Sequence, residues 1–275
     1  MKLLRNSMLD SLGKKLASPL SHLFANALTA NFTRLFEAYC CILLGKGGGA
    51  GWVLENEVNA IKSLIRTSKP VLFDVGANKG EWSSFFNQAF PNSMIYLFEP
   101  QPGCQQIIKD KNLPNSTLFP NAVGAKKDTV RLYTVGETSG IASLHERKDS
   151  YSENKVFTSY DVEQITLDSV IEAYAISSID FVKMDIEGHE LDALKGAEKS
   201  LKKGIIKALL FEFGSANINS RTFFYDYWEL LRSHGYKLYR ILPSSRLLPI
   251  KEYYEDCEYF RGVTNYVAVL EETDT

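Results

Sequence analysis

The 275-residue chain has few cysteines, little net charge and no long uninterrupted apolar run. Its four cysteines, Cys40, Cys41, Cys104 and Cys257, show no C-x-x-C spacing. This pattern argues against a zinc site and a disulfide framework, and it favours a reducing compartment such as the cytoplasm. The formal net charge of −2 provides no global basic field, so a nucleic-acid partner is disfavoured.

The amino-terminal part has no segment typical of a membrane span. Residues 1 to 18 carry positive charge without a continuous apolar core, which disfavours a secretory signal. Residues 23 to 44 are fairly apolar, but they include side chains that are costly in a bilayer: Asn26, Asn31, Arg34 and Glu37. We expect this part to pack onto the rest of the protein, and a peripheral membrane contact is the less favoured alternative. No feature specifies an oligomeric state.

The chain divides into two parts by its pattern. Residues 1 to 69 show helical spacing and a glycine-rich loop, "GKGGGAGW", which predicts an N-terminal helical extension. Residues 70 to 275 alternate predicted strands and helices, and continuous apolar strands such as "VLFDV" are typical of a mostly parallel α/β sheet covered on both faces. The last two predicted strands, "YKLYRIL" and "TNYVAVL", have no helix between them, so we expect an antiparallel edge hairpin.

The stretch "VLFDVGANKGEWSSFF" predicts a strand that ends in a ligand-binding loop. Gly76 lets the backbone turn sharply after Asp74, and Gly80 lets the next helix begin close to the strand. A dinucleotide fingerprint, G-x-G-x-x-G, would need glycines where this chain has Asn78 and Glu81, and Glu81 would face a pyrophosphate. The acid Asp74 suits a ligand that carries an ammonium and a sulfonium better than it suits two phosphates.

A second acid, Glu99, ends the second predicted strand. At this position a carboxylate can accept both hydroxyls of an adenosine ribose. Nicotinamide dinucleotides and S-adenosyl-L-methionine both contain this ribose, so Glu99 by itself does not discriminate between them.

The stretch "KMDIEGHE" places acids where a strand ends and a helix begins. Side chains alternate along a strand, so Asp185 and Glu187 are expected to point the same way. In the expected sheet order, this strand lies between the strand ending at Asp74 and the strand "ALLFEF". Asp185, Glu187 and Glu212 should therefore converge, with His189 at the rim.

Five motifs in order, "FDVGANKG", "FEPQP", "NAVG", "TLDSV" and "VKMDIEGHELDALKGA", resemble the FkbM family of S-adenosylmethionine-dependent methyltransferases. The resemblance covers roughly residues 70 to 213. It implies the class I, Rossmann-like methyltransferase fold with a seven-stranded sheet, and methyl transfer to a hydroxyl oxygen. On this basis residues 70 to 275 would form the methyltransferase domain, acting on a small molecule or a glycan such as a sugar, glycolipid or natural product.

The resemblance also implies a set of cofactor-binding residues. The loop would line the methionine part of the cofactor, Glu99 would bind the ribose, and the residues after the second and third strands would flank the adenine. The full predicted set is Asp74, Gly76, Ala77, Asn78, Gly80, Glu99, Pro100, Asn121, Ala122 and Asp185.

Two designs could remove the proton of an attacking hydroxyl. In the first, one of the carboxylates Asp185, Glu187 and Glu212, or His189, acts as a general base. In the second, the same three carboxylates hold a divalent cation that lowers the pKa of the acceptor. We prefer the first design, because His189 would offer a base with a pKa near neutrality. An NAD-dependent oxidoreductase and a non-catalytic binding protein of the same fold remain as alternatives.

The acceptor is expected near two other segments. The long polar stretch from residue 136 to 154 is typical of a lid or binding loop, and it contains Ser139 and Ser143. Tyr253 and Tyr254 could stack on a sugar ring, although plain packing of a hairpin is an open alternative. We predict all four as substrate-binding residues.

Overall fold

The computed structural model describes residues 7 to 49 and 54 to 271, and the chain divides into two compact units, Met1–Leu43 and Leu44–Thr275. The remainder of the predicted glycine-rich loop, residues 50 to 52, lies outside the described residues. The helix α3 (Leu54–Ile61) falls within the second unit, whereas the sequence pattern assigned it to the N-terminal extension. Three of its residues, Val58, Ala60 and Ile61, are buried in a hydrophobic cluster of that unit, because its apolar side chains are spaced along one face.

The first unit contains two helices, α1 (Ser7–Phe24) and α2 (Ala30–Leu43). The turn between them is stabilised by Asn26, whose side-chain oxygen accepts the backbone N–H groups of Leu28 and Thr29 at 2.9 and 3.1 Å. Both helices leave large apolar side chains exposed, and Leu28 in the turn is 93% exposed. No helix in the described part of the chain is long and apolar enough to cross a membrane.

The second unit is built on a central eight-stranded sheet with the order β10-β9-β11-β8-β7-β1-β2-β3. Its strands are β1 (Val71–Val75), β2 (Met94–Phe98), β3 (Ser116–Phe119), β7 (Phe181–Met184), β8 (Ala208–Gly214), β9 (Tyr236–Ile241), β10 (Leu247–Ile250) and β11 (Val263–Leu270). Strands β3, β2, β1, β7 and β8 are mutually parallel neighbours, which confirms the predicted α/β class.

The antiparallel part of the sheet differs in detail from the sequence prediction. Strand β11 lies inside the sheet, antiparallel to both β8 and β9, and it does not form the edge. The short strand β10, which is antiparallel to β9, forms this edge of the sheet. The burial of β11 agrees with this interior position, since five consecutive residues, Thr264 to Ala268, are buried.

Helices cover both faces of the sheet. On one face α3 packs together with α4 (Glu81–Ala89) and α5 (Pro102–Lys111). On the other face the hydrophobic core includes buried residues of α6 (Leu167–Ala173), α7 (Glu190–Lys195), α8 (Glu198–Lys202) and α10 (Phe224–Ser233). The short helix α9 (Ala216–Ser220) follows β8 directly.

A second sheet of three strands, ordered β4-β6-β5, was not predicted from the sequence. It consists of β4 (Ala122–Val123), β5 (Asp128–Thr134) and β6 (Thr158–Ile165), and β5 pairs antiparallel with β6. Strands β5 and β6 alternate exposed with more buried residues, as at Arg131 and Leu132 and at Asp161 and Val162, and the sequence analysis missed this alternation. They flank the polar segment 136 to 154 and hold its ends side by side.

Candidate functional site

An open cavity of about 590 Å³, which we call the first cavity, lies at the carboxyl ends of β1, β2 and β7. Parallel sheets of this type bind ligands at this edge. Seven of the predicted cofactor-binding residues line the cavity: Gly76, Asn78, Glu99, Pro100, Asn121, Ala122 and Asp185.

Gly76 allows two chain segments to approach each other at the mouth of this cavity. Its φ angle is +78°, and a Cβ at this position would overlap the carbonyl oxygen of Asp185. The N–H groups of Gly76 and Ala77 donate to the carbonyl oxygen of Phe98 at 2.9 and 3.1 Å. The loop after β1 is thereby fixed against the ends of both β2 and β7.

Three predicted cofactor-binding residues, Asp74, Ala77 and Gly80, do not line the cavity. Asp74 is fully buried on the same face of β1 as Leu72, toward α4, and it accepts the hydroxyl of Ser83 at 2.5 Å. Gly80, at φ +70°, begins α4. Alternation along β1 places the side chain of Asp74 on the face of the sheet that α4 covers, and not in the cavity. These residues therefore support the loop after β1.

Glu99 is held in a fixed orientation at the floor of the first cavity. Its Oε2 accepts the backbone N–H of Asn78 at 2.7 Å, and its Oε1 accepts the backbone N–H of Gln101 at 2.8 Å. Burial raises its pKa. An ionised carboxylate has about four lone-pair positions, so acceptor capacity remains for ligand hydroxyls.

Gln101, which was not predicted as a site residue, ties the polar segment to the cavity. Its side chain accepts the N–H of Ser139 at 2.9 Å and donates to the carbonyl oxygen of Ser139 at 3.0 Å. Ser143 donates its hydroxyl to the carbonyl oxygen of Glu187 at 2.7 Å. Both serines line the first cavity, so the structure places them in the wall of the predicted cofactor site. The "FEPQP" motif contains Gln101 and was the signal available for it.

A second cavity, of about 580 Å³, adjoins the first. The two cavities share Gly140, Asp185 and Glu187 in their walls. Glu212 lines the second cavity, so the structure brings together the three carboxylates that the sheet order predicted. The other described residues in its wall are Gly49, Ile141, Arg147 and Val263.

The turn that carries Glu187 differs from the extended strand expected from the sequence. Strand β7 ends at Met184, and Glu187 has a left-handed φ of +54°. The buried carboxylate of Glu190 stabilises this turn, because it accepts the N–H groups of Ile186 and Gly188 at 3.0 and 3.1 Å. A non-glycine residue in a sparsely populated backbone conformation costs about 1 to 3 kcal/mol, so the surrounding contacts must hold the turn in place.

Arg147 is the main ion-pair partner of Glu187 and was missed by the sequence analysis. Its Nη1 donates to Glu187 Oε2, and its Nε and Nη2 donate to the two carboxylate oxygens of Asp149 at 2.7 and 2.9 Å. Burial and the neighbouring Asp185 raise the pKa of Glu187 to about 8, against the lowering effect of Arg147. Sequence alone did not reveal the pair, because Arg147 lies in a polar loop forty residues away from Glu187.

Buried charged side chains from several elements lie close to Asp185. The Nζ of Lys183 is 3.1 Å from Asp185 Oδ2 and 3.8 Å from Asp74 Oδ1. Glu57 of α3 accepts the indole N–H of Trp82 at 2.9 Å and the amide of Asn265 at 2.7 Å, and burial raises its pKa to about 7. Lys183 therefore serves as a structural counter-ion for acids from several elements.

His189 lines the first cavity and is absent from the described wall of the second. Its Nδ1 lies 3.2 Å from His145 Nε2, and its own Nε2 is buried without a hydrogen-bond partner. Burial lowers the pKa of His189 to about 4. The expectation of a base near neutrality was wrong on this point, because the imidazole is desolvated.

Tyr253 and Tyr254 are not among the described residues that line either cavity. Tyr253 donates its hydroxyl to Glu258 at 2.8 Å and packs against Tyr225, and both tyrosines lie against the main hydrophobic core. The segment after β10 folds back onto the start of α10, which agrees with the packing alternative, and the role of the two tyrosines in substrate binding stays a prediction.

Comparisons with known proteins agree with the sequence motifs. A family model described as "Methyltransferase FkbM domain" matches residues 74–238, more than half of the chain. The chain is 26% identical over 155 residues to the 2-O-methyltransferase NoeI of Sinorhizobium fredii, covering 52% of this chain and 63% of that protein. It is 28% identical over 154 residues to the hexuronic acid methyltransferase AglP of Haloferax volcanii, covering 54% and 59%. The chain thus spans about three fifths of the length of these curated relatives.

Among solved structures, a precorrin-6y C5,15-methyltransferase from Geobacter metallireducens is similar at 13% identity and a TM-score of 0.41. The match covers 78% of this chain and 88% of that chain.

Proposed function

The chain belongs to the FkbM methyltransferase family, and we propose that it transfers the methyl group of S-adenosylmethionine to a hydroxyl oxygen of a small molecule or glycan. The observation that carries this proposal is the pair of adjoining cavities with Asp185 and Glu187 in their shared wall. One cavity would hold the cofactor and the other the acceptor. The name of one relative, a 2-O-methyltransferase, supports a hydroxyl oxygen as acceptor, and that of the other, a hexuronic acid methyltransferase, supports a sugar.

The hydrogen bonds of the loop after β1 argue against a dinucleotide. The N–H groups of Gly76 and Ala77 donate to the carbonyl oxygen of Phe98, and the N–H of Asn78 donates to the carboxylate of Glu99. The N–H of Gly80 donates to the carbonyl oxygen of Ala77. A pyrophosphate needs free backbone N–H groups at this position. These amides are already engaged, and Glu81 follows at the first position of α4.

The donor and acceptor groups of the first cavity fit S-adenosylmethionine. Glu99 would accept the ribose hydroxyls, and the carboxylates of Asp185 and Glu187 would face the positive end of the cofactor. When bound, the cofactor supplies a methyl group activated on a positively charged sulfur. The task left to the protein is to orient the acceptor hydroxyl and to remove its proton.

Glu212 is the proposed general base. It lines the second cavity, and no described residue hydrogen-bonds to its carboxylate. Burial, together with Asp185 and Glu187, raises its pKa well above the usual range. Positive charge in the adjoining cavity would lower this pKa again, so the ionised base would form when both cavities are filled. His189 is the weaker candidate, because its imidazole lines the other cavity and has a lowered pKa.

Treatment with a chelator distinguishes a metal-assisted reaction from general-base catalysis. Within residues 7 to 49 and 54 to 271, no group of three or more His, Cys, Asp or Glu residues has an arrangement that could hold a metal ion. We expect turnover to persist after treatment with a chelator and to show no stimulation by magnesium or manganese ions. Loss of turnover with the chelator, restored by a divalent cation, would assign the carboxylates to a metal.

Calorimetric titration with S-adenosylmethionine and with NAD tests the proposed cofactor. We expect binding of S-adenosylmethionine and none of NAD, and the opposite result would favour the oxidoreductase alternative. Binding of S-adenosylmethionine without turnover on any hydroxyl acceptor would favour the non-catalytic alternative. The cytoplasmic location expected from the cysteines stays a prediction.

A further inference from the structure

The polar wall of the second cavity offers hydrogen-bond acceptors to a ligand. Asp185 uses Oδ2 for Lys183, and Glu187 uses Oε2 for Arg147, which leaves one oxygen of each. Both oxygens of Glu212 are without a partner among the described residues. Carboxyl oxygens accept hydrogen bonds in both protonation states, so the hydroxyl or ammonium donors of a ligand match this cavity.

The cationic group in this wall is already engaged. Arg147 is the only cationic residue among the described lining residues, and its side chain is 2% exposed. Its Nε and Nη2 bind Asp149, its Nη1 binds Glu187, and Nη2 also lies 3.5 Å from Ser215 Oγ. A guanidinium has five N–H donors in a fixed fork, and the paired faces that bind a carboxylate or phosphate are occupied here. Lys183 is held by Asp185 and does not line this cavity.

The rest of the described wall is small or apolar: Gly49, Gly140, Ile141 and Val263. The two glycines leave room beside the carboxylates, and the two branched side chains offer apolar contact. A sugar ring matches such a wall, because it presents hydroxyl groups at its edge and C–H groups on its faces.

We propose that the acceptor is a hydroxyl-rich ring without negative charge, such as a neutral or amino sugar, and that the second cavity rejects uronic acids and sugar phosphates. This inference rests on the methyl transfer proposed above. Three carboxyl groups receive the ring hydroxyls, and the fully engaged Arg147 leaves no cation among the described lining residues of the second cavity to receive an anion.

The electrostatics of the cavity support this selectivity. The carboxylates already raise one another's pKa, since Asp185 contributes to the raised values of both Glu187 and Glu212. An anionic ligand would raise the pKa of Glu212 further and oppose formation of the ionised base, whereas an ammonium group would lower this pKa.

Matched methyl glycosides test the proposal. The methyl glycosides of glucose, glucosamine and glucuronic acid, with the corresponding galactose series, differ mainly in charge. We expect the neutral and amino members to bind the protein loaded with S-adenosylhomocysteine at least about tenfold more tightly than the uronates, as measured by titration calorimetry. We expect the same order for turnover with S-adenosylmethionine, measured by mass spectrometry.

At a pH high enough to ionise Glu212, the variant Glu212→Gln removes one negative charge from the wall, so the preference for neutral over uronate glycosides in binding should fall by at least about threefold at that pH. The variant Glu198→Gln changes an exposed carboxylate on α8 and should leave the preference unchanged. Added sodium chloride provides a measure that needs no variant, because screening should reduce the preference in the natural protein.

Equal or tighter binding of the uronates would overturn the proposal. So would the absence of binding and turnover with every glycoside in a protein that still binds S-adenosylmethionine, which would leave the proposed methyl transfer standing with another acceptor class. A protein that does not bind S-adenosylmethionine would overturn the proposed function, and this inference with it.

Discussion

Glu212 is the side chain on which the proposed proton transfer depends. The sequence indicated its direction, because Phe211 and Phe213 on either side face the core and leave the acid pointing the other way. The sheet order then placed it beside Asp185 and Glu187. That no described residue hydrogen-bonds to its carboxylate could be found only in the structure.

The substitution Glu212→Gln tests this residue. We expect turnover to fall by about 10²- to 10⁴-fold, the usual contribution of a general base, with cofactor affinity changed by less than about threefold. Steady-state kinetics and calorimetric titration measure the two effects separately. Glu198→Gln serves as the control for a carboxylate outside the cavities. Near-normal turnover in Glu212→Gln would remove Glu212 from the chemistry.

Arg147 holds two buried acids, so its loss should affect stability. In Arg147→Gln, Asp149 and Glu187 lose their common cation, and breaking such a buried pair costs about 3 to 5 kcal/mol. Urea unfolding measures this change. The matched control Lys148→Gln removes an exposed ion pair with Glu146. We expect its free energy of unfolding to change by less than about 1 kcal/mol. Equal stability of the two variants would contradict the assigned role of Arg147.

At the scale of elements, the strand–loop–helix unit around Gly76 is the best-predicted part of the site. The turn can be predicted from the sequence, because an apolar strand is followed by glycines. Strands β5 and β6 were missed, because each contains only three apolar residues and their alternation with polar residues was not recognised. The turn from Asp185 to Gly188 was read as extended, since nothing local in the sequence signals the left-handed Glu187.

The close approach of Gly76 to Asp185 gives a prediction for this unit. In Gly76→Ala the new Cβ would overlap the carbonyl oxygen of Asp185 at a φ of +78°, so we expect loss of measurable binding of S-adenosylmethionine. Gly136→Ala is the matched control, because Gly136 has a similar φ of +73° but no atom within 4 Å of a Cβ. This control should cost only about 1 to 2 kcal/mol of stability and keep binding. Equal binding by both variants would show that the contact does not matter.

At the scale of the whole molecule, the second unit buries more acid than its cations balance. Burial raises the pKa of Glu57 and Glu190 to about 7 and that of Glu187 to about 8. Composition did not reveal this imbalance, because the chain as a whole has a net charge of only −2. It arises where separate elements bring their acids to one edge of the sheet.

These acids predict an unusual dependence of stability on pH. A carboxyl group with a higher pKa in the folded state binds a proton that the unfolded state has lost, so the free energy of unfolding decreases as pH rises between the two values. His145 and His189, with lowered pKa values, oppose this trend only below about 6.5. We therefore expect stability to fall by about 2 to 3 kcal/mol between about pH 6.5 and 8. Urea unfolding across this interval measures the change, and a rise in stability would contradict the assigned protonation.

The most direct test of the account is the fate of a labelled methyl group. The protein is incubated with S-adenosylmethionine carrying a ¹³C methyl group and with the neutral methyl glycosides, and the products are analysed by NMR. We predict a new methoxy signal on a ring oxygen, which Glu212→Gln should reduce by at least about 10²-fold while still binding the cofactor in titration. Absence of a methoxy signal with the natural protein, or a methoxy signal of equal strength with Glu212→Gln, would contradict the account.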